Sequence, residues 1–228
     1  MAAMEAITMS AIRSLPGRIN LESTAITRRR YQRIAQYYDV MCLIPERLFQ
    51  PWRSQLWSLI TGPQVLEVGV GTGRNIEFYQ EGVRITAIDL TPGMLERAHQ
   101  RAQQLGKKVD LCLMDVQNMD FPEEIFDTVV ATCVFCSVPD PVLGLREVLR
   151  VTKPGGYVLL LEHVRSKNPR IGALMDFLNP LVVRMMGSNI NRRTVENVQR
   201  AGLEVESVTN IDNAHIFKLI IARRNGTA

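Results

Sequence analysis

The stretch Val65-Leu66-Glu67-Val68-Gly69-Val70-Gly71-Thr72-Gly73-Arg74-Asn75 decides how this chain is read. An apolar run carrying one acid reads as a buried strand, three alternating glycines follow, and a helix opens after them. Glycine lets the backbone turn sharply and lets a ligand come close to the peptide, while N–H groups at a helix start face that ligand. Asp89 closes the next predicted strand, 22 residues after Glu67, where an acidic side chain can bond both hydroxyls of a ribose. The competing role for Asp89 is a helix N-cap, but Thr91, directly before Pro92, fills that position. The bend and the acid together predict a nucleoside site.

Outward from the bend, short β-branched runs alternate with segments of helical period, the pattern of a parallel sheet covered on both faces. Strands are expected at 64–68, 84–90, 109–114, 126–134, 157–164, 204–210 and 214–222. Helices are expected at 27–38, 45–59, 75–80, 92–105, 141–151, 172–186 and 194–201. Lys153-Pro154-Gly155-Gly156 reads as a turn. The last two strands follow one another without a helix and are expected to pair antiparallel at one edge.

Two nucleoside ligands suit such a turn. A dinucleotide site uses Gly-x-Gly-x-x-Gly with the pyrophosphate on the helix N-terminus; here the third glycine comes one residue early and Glu67 precedes the first by two. A carboxylate there is costly beside a diphosphate and favourable beside an ammonium or sulfonium. S-adenosylmethionine carries both cations and a ribose, and fits better.

Glu67-Val-Gly-Val-Gly-Thr-Gly73, Asp89-Leu-Thr-Pro-Gly-Met-Leu95, Asp115 before Asp120-Phe-Pro122, Phe126-Asp127 and Leu149-Arg-Val-Thr-Lys-Pro-Gly-Gly156 resemble, in order, the motifs of class I S-adenosylmethionine-dependent methyltransferases. The resemblance runs from about Tyr31 to Arg223. It implies a Rossmann-like α/β fold, a seven-stranded sheet in the order 3-2-1-4-5-7-6 with strand 7 antiparallel. It also implies S-adenosyl-L-methionine as cofactor and S-adenosyl-L-homocysteine as product. Carried over by position, Gly69, Gly71 and Gly73 would line the methionine moiety and Asp89 would hold the ribose. Met94 would pack on the adenine, and Asp115 with Val116 would meet its edge. Glu67, Thr72, Asn75, Leu90 and Cys133 complete the expected cofactor contacts. Met114 departs from the pattern, since many relatives have Gly before the aspartate. Tyr31…Tyr37-Tyr38-Asp39, Phe135-Cys136-Ser137-Val138 and Leu161-Glu162-His163-Val164 resemble the branch of ubiquinone/menaquinone, phospholipid N- and thiol methyltransferases.

The remaining composition sets bounds. A chain of 228 residues with 46% apolar and 22% charged side chains can bury a full core without disulfides or metal. Four cysteines point to a reducing compartment, and no run reaches the length of a membrane span. A cytoplasmic protein, at most peripheral at the inner membrane face, is expected. Net charge is +4, and it is uneven. Residues 1–36 hold six arginines against two glutamates, and residues 165–203 hold seven basic side chains against two acidic ones. Such segments attract phosphates, nucleic acid or acidic lipid. Met4, Ile7, Thr8, Ala11, Ile12 and Leu15 fall at helical spacing. Residues 1–36 are therefore read as a basic amphipathic leader or lid, ahead of a catalytic domain at 37–228.

Methyl transfer needs alignment and exclusion of water; a general base is needed only where a carbon or hydroxyl nucleophile must lose a proton. His163, at the carboxyl end of strand 5, is the first candidate for base or orienter, with Glu162 beside it. Tyr37 and Tyr38 would lie over the cofactor mouth by resemblance, Tyr38 as a further catalytic candidate. Cys133-x-x-Cys136 lacks a matching second pair for zinc, so no metal is expected, and Cys136 is a pocket residue at most. The apolar, Met-rich segment 171–186, including Met175, lies in sequence beside Arg165 and would suit a lipid-like substrate with an anionic head. The expected reaction is methylation of a hydrophobic small molecule, with a phospholipid amine first. A quinone-precursor carbon or a thiol comes next, then a nucleic acid, against which the absence of an Asn/Asp-Pro-Pro-Tyr/Phe element after strand 4 argues.

Overall fold

The computed structural model describes residues 19–41 and 43–226. The amphipathic helix expected within 4–15 and Cys42 lie outside the described residues.

Three helices precede the sheet: α1 (Leu21–Ile34), α2 (Tyr38–Met41) and α3 (Leu43–Ser58). Then come β1 (Gln64–Val68), a single 3₁₀ turn (Ile76–Phe78), β2 (Arg84–Asp89), α4 (Pro92–Leu105), β3 (Asp110–Leu113) and β4 (Phe126–Thr132). The chain continues through α5 (Pro141–Val151), β5 (Thr152–His163), α6 (Pro169–Met186), α7 (Thr194–Arg200), β6 (Glu204–Asn210) and β7 (Phe217–Arg223). The seven strands lie in the order β3-β2-β1-β4-β5-β7-β6. β1 to β5 are parallel, and β7 runs antiparallel to both β5 and β6.

Alternation along each strand sorts side chains onto two faces. Leu66, Val68, Val129, Ala131, Val158 and Leu160 pack under α5 and α7 through Leu145, Val148, Val151 and Val198. Val65, Ile85, Ala87, Val130, Leu159 and Leu161 pack on the other face with Leu56 and Trp57 of α3 and Ala98 and Ala102 of α4. Central strands buried on both sides explain the continuous apolar runs.

Several boundaries differ from the sequence expectation. The helix expected at 75–80 is only the 3₁₀ turn, because the Asn75 side chain bonds Glu67 and Thr132 instead of capping a helix. The 27–38 helix is two, α1 and α2, and begins earlier at an Asn20 cap that accepts the Ser23 N–H. Strand 4 ends at Thr132, since Cys133 takes the left-handed conformation at φ 54°. The last strand starts at Phe217, after a turn in which Asp212 accepts the Ala214 and Phe217 N–H groups.

Candidate functional site

The carboxyl ends of β1, β2 and β4 open into a cleft with about 760 Å³ of space, its mouth included. This is where a doubly wound sheet receives ligands, beside its topological switch point. Gly69 and Gly71 form one wall, Asp89, Leu90 and Met94 the next, and Met114, Asp115 and Val116 the far end. Cys133, Val134 and Ser137–Pro139 complete the side toward β4, while Thr27 and Tyr31 of α1 and Tyr38 of α2 close it from above.

Asp89 is held by two backbone amides. Its Oδ2 accepts the Gly71 N–H at 2.9 Å and its Oδ1 accepts the Thr91 N–H at 2.8 Å. Thr91 stands at the N-cap of α4 but makes no side-chain cap bond. The division of labour expected from sequence is therefore partly reversed: the Asp89 carboxylate satisfies the amide at the helix start. Burial pushes its pKa up, against the downward pull of these amides. Each oxygen keeps acceptor capacity for a further donor.

Asp115 is fixed from three sides, by the Gln117 N–H at 2.9 Å, by the Gln117 amide, and by the Thr24 hydroxyl of α1 at 3.4 Å. Tyr31 bonds Ser137 across the mouth, and burial raises its phenol well above the ordinary range. The Cys133 thiol is likewise pushed far up by burial; it lines the cleft as a small apolar group.

Glu67 does not reach the cleft. It is 1% exposed, takes Asn75 Nδ2 at 2.7 Å on one oxygen and the Tyr79 hydroxyl on the other, and burial lifts its pKa to about 7. The pairing with a ligand cation expected from its position is replaced by internal donors, because strand alternation turns its side chain toward α3. Thr72, Gly73 and Asn75 also stand behind the bend. Thr72 donates to Asp39 at 2.7 Å, and a Cβ on Gly73 would strike Ile76 at 2.6 Å and the Ala98 backbone at 3.0 Å. These residues build the turn and do not line the cleft.

The candidates at the end of strand 5 are not in the cleft either. Glu162 is fully buried, and one oxygen accepts the Val134 and Phe135 N–H groups at 2.8 and 3.0 Å. Its other oxygen is buried without a hydrogen-bond partner among the described residues, and burial raises the carboxyl to about 7. Glu162 thus holds the turn after β4. His163 lies against the Phe217 ring at 6.2 Å, and burial lowers its pKa to about 4, so it is neutral, and it does not line the cleft. Tyr37 is 60% exposed outside the mouth. The Cys136 thiol donates to the Cys133 carbonyl, and burial pushes its pKa to about 12. Met175 is buried with its sulfur accepting the Ser166 N–H, and Arg165 is paired with Asp176 at 2.7 Å. The substrate roles expected for Tyr37, Cys136, Arg165 and Met175 therefore find no support in the geometry of this cleft. The sequence reading gave no role to Thr24, Thr27, Gln117 or Ser137. Tyr31 and Ser137 were visible only inside the quoted resemblance.

An ionic hub fastens the helices over the bend. Asp39 receives Thr72, Arg74 and Arg101, the last at 3.1 Å, and Arg74 also reaches Glu46 of α3 at 2.6 Å. Arg53 then links Glu46 at 2.9 Å to Asn75 at 2.7 Å. The hub carries Tyr38, the neighbour of Asp39, into the cleft.

The cleft suits an S-adenosyl nucleoside. A Cβ added at Gly71 would meet nothing within 4 Å, although Gly69 and Gly73 are crowded; at Gly71, which lines the cleft, a ligand could lie directly on the backbone. Asp89 would take the ribose hydroxyls, Gly69 and Gly71 the methionine moiety, and Leu90, Met94 and Val116 the adenine, with Asp115 at its edge. When bound, S-adenosylmethionine supplies an electrophilic methyl on sulfur and leaves as the thioether.

Residues 66–160 match the methyltransferase domain family. A phosphatidylethanolamine N-methyltransferase of Cereibacter sphaeroides is 41% identical over 126 residues, 53% of this chain and 62% of that protein. This chain thus matches less than two thirds of that relative's length. The ubiquinone/menaquinone biosynthesis C-methyltransferase UbiE of Bdellovibrio bacteriovorus is 28% identical over 169 residues, 71% of this chain and 72% of that one. Among solved structures, an S-adenosylmethionine-dependent methyltransferase of Thermotoga maritima, titled a possible histamine N-methyltransferase, superposes with a TM-score of 0.68. It is 19% identical and covers 87% of this chain and 100% of its own, a likeness of fold. The motifs, the strand order and the cleft agree with the domain match: residues 66–160 match the methyltransferase domain family, and the chain as a whole has the fold of, and resembles, the class I S-adenosylmethionine-dependent methyltransferases.

Proposed function

We propose that this chain transfers a methyl group from S-adenosylmethionine to a hydrophobic small molecule, first of all the amine headgroup of a phospholipid. The observation that carries this reading is the outer face of α6. Gly172, Met175 and Asn179 turn inward, while Ile171, Leu174, Phe177, Leu178, Leu181 and Met185 are exposed, Phe177 by 80%. A helix with its apolar stripe outward calls for an apolar partner. Its C-terminal Gly187 approaches Arg30 and Tyr31 of α1, and Asn189 bonds the Cys136 carbonyl beside the cleft. The C-terminal end of this helix therefore lies beside α1, which covers the cleft. Arg170 and Arg184 on the same helix complement an anionic surface, and no helix among the described residues is long and apolar enough to cross a membrane.

The chemistry agrees with an amine acceptor. The cleft offers buried acids already bound by amides and no histidine among its described lining, so it aligns and desolvates a nucleophile more readily than it strips a carbon of its proton. In this reading α1, with Thr27 and Tyr31 over the cleft, acts as a lid. Quinone C-methylation and thiol S-methylation are the alternatives. Incubation with methyl-labelled cofactor and phosphatidylethanolamine vesicles, quinone precursors, alkyl thiols and RNA separates them. Label in the phospholipid supports the proposal, and label only in another acceptor overturns it.

A further inference from the structure

We infer that a second, arginine-lined pocket beside the cleft binds a phosphate group. The inference rests on the lipid reading above only for what would carry that phosphate. The pocket holds about 1340 Å³ of open space between the start of α5, the segment after α6, and α7, and it shares Pro139 with the cleft as a common wall. Arg146, Arg165, Arg192, Arg193 and Arg200 line it against the two acids Asp140 and Asp176.

Both acids are engaged. Asp140 caps α5 by accepting the Val142 and Leu143 N–H groups at 3.1 and 3.0 Å, and Asp176 takes Arg165 and Asn191. Arg193 has Glu196 at 3.5 Å. Among the described residues Arg146 and Arg200 have no hydrogen-bond or ion-pair partner, and Arg192 is the telling member. Its Nη2 donates to the Val138 carbonyl at 2.8 Å, yet its Nε is buried with no partner among the described residues. A buried guanidinium N–H left unpaired is expensive, and an oxyanion with several acceptor lone pairs is the ligand that several converging guanidinium groups recognise. With Pro139 shared, a phosphate held here sets the group attached to it at the cleft. A phospholipid headgroup and free phosphate present the same oxyanion, and the test distinguishes them.

Inorganic phosphate, glycerophosphoethanolamine and RNA oligonucleotide are titrated calorimetrically into the full chain and into R146Q/R200Q. A control of equal charge change, R84Q/K108Q, alters exposed side chains away from the pocket. The expected result is phosphate-ester binding weakened about tenfold in R146Q/R200Q, unchanged in the control, with S-adenosylmethionine affinity retained in both. Preference for glycerophosphoethanolamine identifies the headgroup as the source, and preference for inorganic phosphate identifies the free ion. Equal affinity in all three proteins, or binding of RNA alone, overturns the assignment. Methylation of phosphatidylethanolamine vesicles is followed in parallel. Loss of phosphate binding in R146Q/R200Q without lipid methylation by any of the proteins refutes the lipid reading and leaves the pocket standing.

Discussion

Asp89 Oδ2 accepts the backbone N–H of Gly71 at 2.9 Å, so the carboxylate proposed to take the ribose also fixes the glycine bend in the wall of the cleft. Asp89→Ala removes a ligand contact and strands two amides at once. S-adenosylmethionine should bind more weakly by about 1.5–3 kcal/mol, from loss of charge-assisted bonds, and Tm should fall. Unchanged calorimetric affinity would count against the ribose assignment.

Gly71→Ala separates ligand contact from folding. Its φ is +56° and a Cβ there meets no protein atom within 4 Å, so the cost in stability is the left-handed conformation alone, about 1 kcal/mol. Cofactor affinity should fall by much more than that. Equal losses in stability and affinity would mean that no ligand lies against this residue.

Tyr31→Phe deletes the bond from α1 to Ser137. The expectation is a cofactor dissociation rate raised severalfold, in keeping with about 1 kcal/mol for one hydrogen bond, with association little changed. Stopped-flow fluorescence reads both rates, and an unaltered dissociation rate would remove α1 as a latch.

The titration of Glu162 and His163 gives opposite pH dependences. Burial raises Glu162 from 4.5 to about 7, so its folded form holds a proton that the unfolded chain has lost; this stability is full below about pH 4.5 and disappears as pH rises through 7. Glu162→Gln keeps an acceptor for the Val134 and Phe135 amides and should gain on the parent as pH rises through that window. His163 is lowered from 6.5 to about 4, so its contribution is present above 6.5 and lost as pH falls toward 4. His163→Leu should flatten the acid side of the Tm profile while cofactor binding persists. A pH-independent Tm difference for either variant would contradict the assignment.

Much of this was legible in the sequence for a definite reason. The central strands β1, β4 and the second half of β5 are buried on both faces, so their apolar runs stand out against helical segments, and the glycines at 69 and 71 with Asp89 mark the end of the sheet where the cleft opens. What the pattern hid were side-chain directions. Glu67 and Glu162 sit near the cleft residues in the chain, but the two-residue period turns one toward Tyr79 and the other toward the amides of Val134 and Phe135. His163 meets the ring of Phe217, contributed by the antiparallel strand β7. The closure by Thr24, Thr27 and Tyr31 comes from a helix that lies before the β/α alternation begins and has no place in its rhythm.

The Asp39 hub gives the entrance a tolerance of its own. One carboxylate answers to Arg74, Arg97 and Arg101, with Arg97 at 3.6 Å. Withdrawing any single guanidinium leaves a quorum that still pins the short helix bearing Tyr38. Concentrated electrolyte weakens all three at once, so brine would unfasten what no one substitution does.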